Sequence, residues 1–447
     1  MGIKLIVVCG LALLMTLPVF FVTGLVEDRT KRAADVVREI SGYSGGQQTF
    51  LGPTVVIPFK IPAQQYDNAP RHDTYLVFPS QASGVLKTVT EERRRSLFKV
   101  PVFQADMKFD AAFDLNGVPA MDLHSDLDWN RAEIVVGVSD ARGAVADATL
   151  TADGKSTALV PSGAAPDLIV GGDQNGRIKL TLLGAPIDAI AKPNAKFNVQ
   201  CSMRFSGAQR VAVLSYGKTT RLSAQGDWPS PGFDGGFLPI RRTINRSGFT
   251  AEWFVPFIAR GVRAEGPMES FAGLQATELG TSFIEVADPY QSVSRSIKYV
   301  LLFLGLVFLS YFVFEAVTGR RVHPAQYVLV GIAQVIFYLL LLSFAERIGF
   351  DWGFLLAGAA TVALLSTNAG WVFSSRLYGL RALCTFSALY LLIYCLLRME
   401  DYALLVGAIA SFLAVAVAMY LTRRIDWYGS LAESPAKADP MAPTEAR

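Results

Sequence analysis

The chain has 447 residues, of which 51% are hydrophobic and 18% charged, where soluble domains carry about 25% charged residues. Mean hydropathy is +0.35, and long stretches hold no charge at all. This is the pattern of a membrane protein, not of an ordinary soluble domain.

Residues 5–26 are uncharged and long enough for a span of roughly 20 residues. The run exceeds the 7–15 residues of a signal-peptide core, and no small-x-small site follows before Glu27, so it reads as an uncleaved anchor. Pro18 is tolerated as a kink in a membrane helix. Beyond the anchor, Ala33, Val36, Val37 and Ile40 recur at helical spacing, so the helix continues until SGYSGGQQ ends it. Residues 27–50 are therefore expected to be a helical extension and a Gly-rich linker.

Residues 51–296 read as one β-rich domain. Short β-like runs cover 51–59, 74–78, 97–115, 133–138, 148–160, 177–183, 196–205, 211–222 and 248–257, with turn signals such as Asn116-Gly117 and Asp153-Gly154. Such spacing suggests one or two β-sandwich units. Between residues 26 and 297 there are 29 Lys and Arg against 29 Asp and Glu. Nucleic-acid binding needs a basic footprint, and the one dense cluster, Arg93 to Arg95, has Glu91 and Glu92 beside it, so no nucleic-acid partner is expected. Cys201 is alone in this domain and reads as a buried thiol.

Catalytic signals are weak. In HSDLDW, His124, Asp126 and Asp128 would share one strand face, but alternating polar residues also describe a solvent face. Asp140 and Arg142 in SDARG look site-like, yet their spacing after a strand equally suits a paired turn. The known nucleophile, zinc, phosphate-loop and dinucleotide motifs do not occur. No enzyme activity, cofactor or metal is expected.

Five further spans follow at 299–319, 324–345, 352–375, 377–397 and 402–422, making six with the anchor. The fifth of the six is short between Arg381 and Arg398, whose side chains can snorkel to the interface. Arg320 with Arg321, Arg376 with Arg381, and Arg423 with Arg424 fall in alternate connections or the tail, while the intervening arginines are balanced by acids. The positive-inside rule then places both termini in the cytoplasm and residues 27–297 outside. Residues 297–422 are the five-helix membrane domain, and 423–447 are a cytoplasmic tail.

One acid interrupts the apolar pattern. Glu315 lies about one turn inside the cytoplasmic boundary, followed by Arg320, Arg321 and His323-Pro324. An intramembrane acid can be a proton or ion site. The alternative, which the position near the interface favours, is a carboxylate paired with an inner-face arginine, locking a helical hairpin whose second helix starts at Pro324. Gln334 and Asn368 are among the few other polar membrane residues and suit hydrogen bonds between helices.

LGPTVVIPF, VGVSDARG, GDWPSPGFDGGFLP, FVFEAVTGRRVHPAQYVLVG, FYLLLLSFAERIGF and LTRRIDWY resemble, in order, the CreD family of inner-membrane, cell envelope integrity proteins. The resemblance runs from about residue 51 to 428. It implies a bacterial inner-membrane protein with one anchor, a large periplasmic domain and a C-terminal helical cluster. The implied role is envelope maintenance, under a two-component system linked to β-lactam response. It carries no catalytic residues over. The candidate motif is Glu315, Arg320, Arg321, His323, Gln326 and Gln334, with Arg423, Arg424, Asp426 and Trp427.

The leading expectation is a non-enzymatic scaffold whose β-rich domain meets periplasmic or envelope proteins while its helices contact membrane lipids. The alternative is a lipid-handling or transport protein with a polar cleft between the C-terminal helices, around Glu315 and Gln334. Oligomeric state is not legible from the sequence.

Overall fold

The computed structural model describes residues 2–61, 71–95, 97–119, 127–171, 176–187, 192–283, 289–399 and 403–423. They form two compact units, Met1–Arg32 with Ala287–Arg447, and Ala33–Val286. Two helices open the chain, α1 (Gly2–Leu14) and α2 (Thr16–Tyr43), the second continuing past the apolar run as the spacing predicted. Gly45 and Gly46, both left-handed, follow its end.

The Ala33–Val286 unit is built on two sheets. The first runs Pro231–Gly235, Glu278–Phe283, Arg210–Leu214, Gln48–Ile61, Glu133–Val138, Ile178–Pro186 and Val160–Pro161. Arg71–Val77 also pairs with Gln48–Ile61, and Asp167–Val170 with Ile178–Pro186. The second runs Arg241–Asn245, Gly248–Val255, Thr219–Gly226, Gln81–Arg95, Phe98–Asp114, Lys196–Ala208, Thr149–Ala152 and Lys155–Ala158. Alternation along Lys196–Ala208 turns Phe197, Val199, Cys201, Met203 and Phe205 inward. Inward residues of both sheets make one core: Phe205 meets Phe50 edge-on at 5.5 Å, and Phe109 meets Tyr216 at 5.1 Å. Each such ring contributes about 1.5–3 kcal/mol by burial.

Several readings of the strands need correction: the run at 148–160, for one, is three short strands, Thr149–Ala152, Lys155–Ala158 and Val160–Pro161. The run at 211–222 is not one strand. It is Arg210–Leu214 in the first sheet, then a crossing at Ser215–Lys218, then Thr219–Gly226 in the second. Tyr216 fills the crossing, its hydroxyl donating to the Ser83 carbonyl at 2.6 Å, and its ring lies where any Cβ at Gly52 would sit, 2.6 Å away. Gln81–Arg95 is a long central strand that the apolar pattern did not show, because its inward positions are Ala82, Gly84, Leu86 and Thr88. Its exposed end carries Glu91 to Arg95. Asp128 lies in no strand: it precedes a short turn at Trp129–Arg131, while His124 and Asp126 fall outside the described residues. A single helical turn, α3 (Phe257–Arg260), also belongs to this unit.

In the other unit, a ten-residue amphipathic helix, α4 (Pro289–Lys298), precedes α5 (Val300–Thr318), α6 (Pro324–Ile348), α7 (Phe350–Val372), α8 (Arg376–Arg398) and α9 (Ala403–Thr422). The sequence reading stopped short of α4, whose buried Tyr290, Val293 and Ile297 follow helical spacing among polar residues. Among the described residues, these five apolar helices and the apolar N-terminal stretch across α1 and α2 make a membrane protein with a central β-rich domain. At 1.5 Å per residue, the 20 residues of α9 reach about 30 Å, enough for the hydrocarbon core.

Candidate functional site

The Glu315 corner is built by the ends of α5 and α6. Gly319, left-handed at φ 69°, stops α5, and its N–H returns to the Glu315 carbonyl. His323 caps α6, its Nδ1 accepting from the Ala325 N–H at 3.2 Å, with Pro324 at the first helical position. Between them the buried Glu315 carboxylate holds the turn: Oε1 accepts from the Val322 N–H at 3.1 Å and Oε2 from the Tyr327 hydroxyl at 2.9 Å. These two donors, a main-chain N–H and a tyrosine, tie the carboxylate into the turn between α5 and α6. Arg320, Arg321 and His323 are exposed.

Tyr327 faces Tyr311 edge-on at 6.3 Å, and Tyr311 extends the polar cluster to α7. Its hydroxyl donates to the Leu365 carbonyl at 2.8 Å, with Asn368 Oδ1 at 3.2 Å, and Asn368 in turn donates to Gln326 Oε1 at 3.2 Å. Glu315, Gln326 and Asn368 thus cross-brace three helices. Deeper in the bundle, Gln334 donates to the Tyr390 hydroxyl at 3.4 Å. Gln334 Oε1 and the buried Tyr338 hydroxyl have no partner among the described residues. Arg423 lies 4.1 Å over the Tyr420 ring, whereas Arg424, Asp426 and Trp427 fall outside the described residues.

In the β-rich unit, Asp140 caps a turn at Ala141–Gly143 and forms an ion pair with Arg142 at 2.6 Å. The hydrogen bond from Arg142 holds the Asp140 carboxyl below the usual carboxylate range. Next to this turn, buried Gln48 donates to the Gly45, Asp140 and Ser206 carbonyls, joining both sheets. Two clusters escaped the sequence reading. Arg210 bridges Asp234 at 2.8 Å and Glu278 at 2.9 Å, three residues from three strands with no local pattern to announce them. Arg260 is buried over the Phe78 ring and donates to the Ser215 carbonyl at 2.9 Å; burial pushes its guanidinium down to about 10.

These braces fall in the stretches singled out above: Gly52 in LGPTVVIPF, Asp140 in VGVSDARG, Asp234 in GDWPSPGFDGGFLP, Glu315 at the basic corner. The sequence profile described as "Inner membrane protein CreD" matches residues 1–428. The chain belongs to the CreD family. It is also 29% identical over 433 residues to the "Inner membrane protein CreD" of Escherichia coli (strain K12), covering 94% of this chain and 92% of that one. It is therefore an inner membrane protein with several membrane-spanning helices. Within this CreD chain, each of these motifs contributes a residue to packing between strands or helices.

Proposed function

We propose that the chain supports cell-envelope integrity as a non-enzymatic binding module, with its β-rich domain in the periplasm and its helices holding it in the inner membrane. The observation that carries this reading is an edge of the second sheet on which no further strand pairs among the described residues. Arg241–Asn245 is the last strand there, all its residues are exposed, and Leu238, Ile240 and Ile244 present apolar side chains along it, at 66%, 63% and 45% exposure. An edge with unpaired main-chain groups and alternate apolar anchors suits an added strand from a partner protein. Its arginines 241, 242 and 246 favour an acidic partner segment. Orientation follows from the arginine corners, which the positive-inside rule assigns to the cytoplasm. The proposed role includes the β-lactam or envelope stress response that the family resemblance implies.

The test is complementation in a bacterial strain lacking its own homologue. The double variant Ile240→Asp and Ile244→Pro should lose protection against envelope-directed antibiotics while accumulating normally. The control Ser156→Asp, on the opposite edge of the sheet, should retain it. Full protection by the double variant removes the edge from the reading.

A second reading, a lipid-handling or transport cleft, is favoured by the unpartnered polar atoms of Gln334 and Tyr338 inside the bundle.

A further inference from the structure

The outer face of α7 and α8 is not flat. A groove of about 710 Å³ runs between them, floored by Gly358, Ala359 and Ala363 of α7 and walled by Ser387, Leu391 and Tyr394 of α8. On α7 its lining extends from Asp351 to Ala363, which at 1.5 Å per residue is about 18 Å. One leaflet of a hydrocarbon core about 30 Å thick is about 15 Å deep. The groove therefore starts at a helix end and stops near the depth one acyl chain reaches.

Its mouth is charged with both signs. Asp351 opens α7 and Arg398 closes α8, and the two form an ion pair with both side chains about half exposed. The Tyr394 hydroxyl donates to Asp351 Oδ1 at 3.1 Å, and the Arg398 guanidinium lies 5.8 Å from the Tyr394 ring centre. Trp352, 65% exposed, stands beside them, a residue type that settles at the headgroup level. An anionic headgroup meets repulsion from Asp351, and a headgroup without a hydrogen-bonding ammonium brings that carboxylate no donor beyond Arg398 and Tyr394. A headgroup with a phosphate and a primary ammonium complements both: phosphate to Arg398, ammonium to Asp351.

We propose that the α7–α8 groove is a binding site for one zwitterionic phospholipid of the phosphoethanolamine type, acyl chain along Ala359 and Ala363, headgroup on the Asp351–Arg398 pair. The site belongs to the membrane unit alone and is independent of the edge-strand reading. Ala359 and Ala363 are exposed, so larger side chains there fill the groove without entering the helix packing.

The experiment is native mass spectrometry of the purified full chain, stripped in detergent and then offered dioleoyl phosphatidylethanolamine, phosphatidylglycerol or phosphatidylcholine at equal concentration. The wild-type chain should retain one phosphatidylethanolamine about fivefold better than either competitor, a factor equivalent to ~1 kcal/mol. Asp351→Asn should bring that preference close to one. Ala359→Leu with Ala363→Leu should abolish retention of the single lipid, with the thermal transition of the lipid-free protein unchanged. Equal retention of all three lipids by the wild-type chain, undiminished retention by the Leu variant, or a lipid-free dimer that the Leu variant disrupts would each overturn the proposal.

Discussion

At Glu315, two acceptor oxygens meet two donors of the hairpin they close, the Val322 N–H and the Tyr327 hydroxyl. Leaving a buried donor unanswered costs about 1–3 kcal/mol. Glu315→Ala should therefore lower both membrane abundance and the detergent unfolding temperature, and Glu315→Gln, which keeps one acceptor, should lower them less. Quantitative immunoblotting and thermal unfolding check this. Loss of envelope protection by Glu315→Gln at normal abundance would instead favour proton or ion chemistry at the carboxylate. The His323–Pro324 cap was readable because both residue types carry their own local geometry. The partners of Glu315 were not, since one of them is a main-chain N–H that any residue could supply. Cys201 offers a second test at this scale. Burial pushes its thiol up to about 12, while an unfolded cysteine ionises near 8.5. The folded chain keeps a proton that the unfolded chain releases, so this residue makes stability fall as pH rises from about 8.5 to about 12. Maleimide should label Cys201 at pH 8 only after unfolding, measurable by mass of the modified peptide; rapid labelling of the native protein would show an accessible thiol.

Among the elements, α7 and α8 approach each other closely at a pair of glycines. A Cβ at Gly379 would lie 3.3 Å from the Gly370 Cα and 3.4 Å from the Ser366 carbonyl oxygen. Close approach through small residues is how membrane helices gain packing without a hydrophobic driving force. Gly379→Leu forces the two helices apart at a cost of about 1–3 kcal/mol. Its detergent unfolding midpoint should drop accordingly, whereas Ala363→Leu on the open groove should leave it unchanged. The elements themselves were unevenly legible. Strands such as Lys196–Ala208 and Glu133–Val138 announce themselves, because large apolar residues mark their inward faces. Gln81–Arg95 did not, since small and polar side chains serve inward positions where a neighbouring ring fills the space: a Cβ at Gly84 would come within 3.5 Å of the Phe109 ring. The amphipathic α4 was hidden for a different reason, being too short to show a clear period beside the span it precedes.

For the whole molecule, the alternation of arginine corners makes a prediction about sidedness. Alkaline phosphatase inserted at Gly349 should be active and at Gly319 inactive, and green fluorescent protein fused after Arg423 should fluoresce. The reverse pattern would invert the proposed orientation and move the β-rich domain to the cytoplasm. Hydropathy made the apolar spans plain, since a span is a local property of about 20 residues. The strand order was not readable, because each of its two parallel pairings joins residues more than a hundred positions apart. That separation has a consequence in time. Gln48 pairs with Val211, and Gln81 pairs with Thr219, so one segment, Arg210–Gly226, supplies the strand through which each sheet joins its later strands. With synthesis at about 5–20 residues per second, Gln48 waits roughly 10–30 s for that partner to emerge. During that interval two incomplete layers face each other with their central edges bare. A nascent chain arrested near residue 205 should remain protease-sensitive throughout, and one arrested well past residue 283 should resist. The domain is thus finished late, and the seconds before are when a chaperone or a protease has its opportunity.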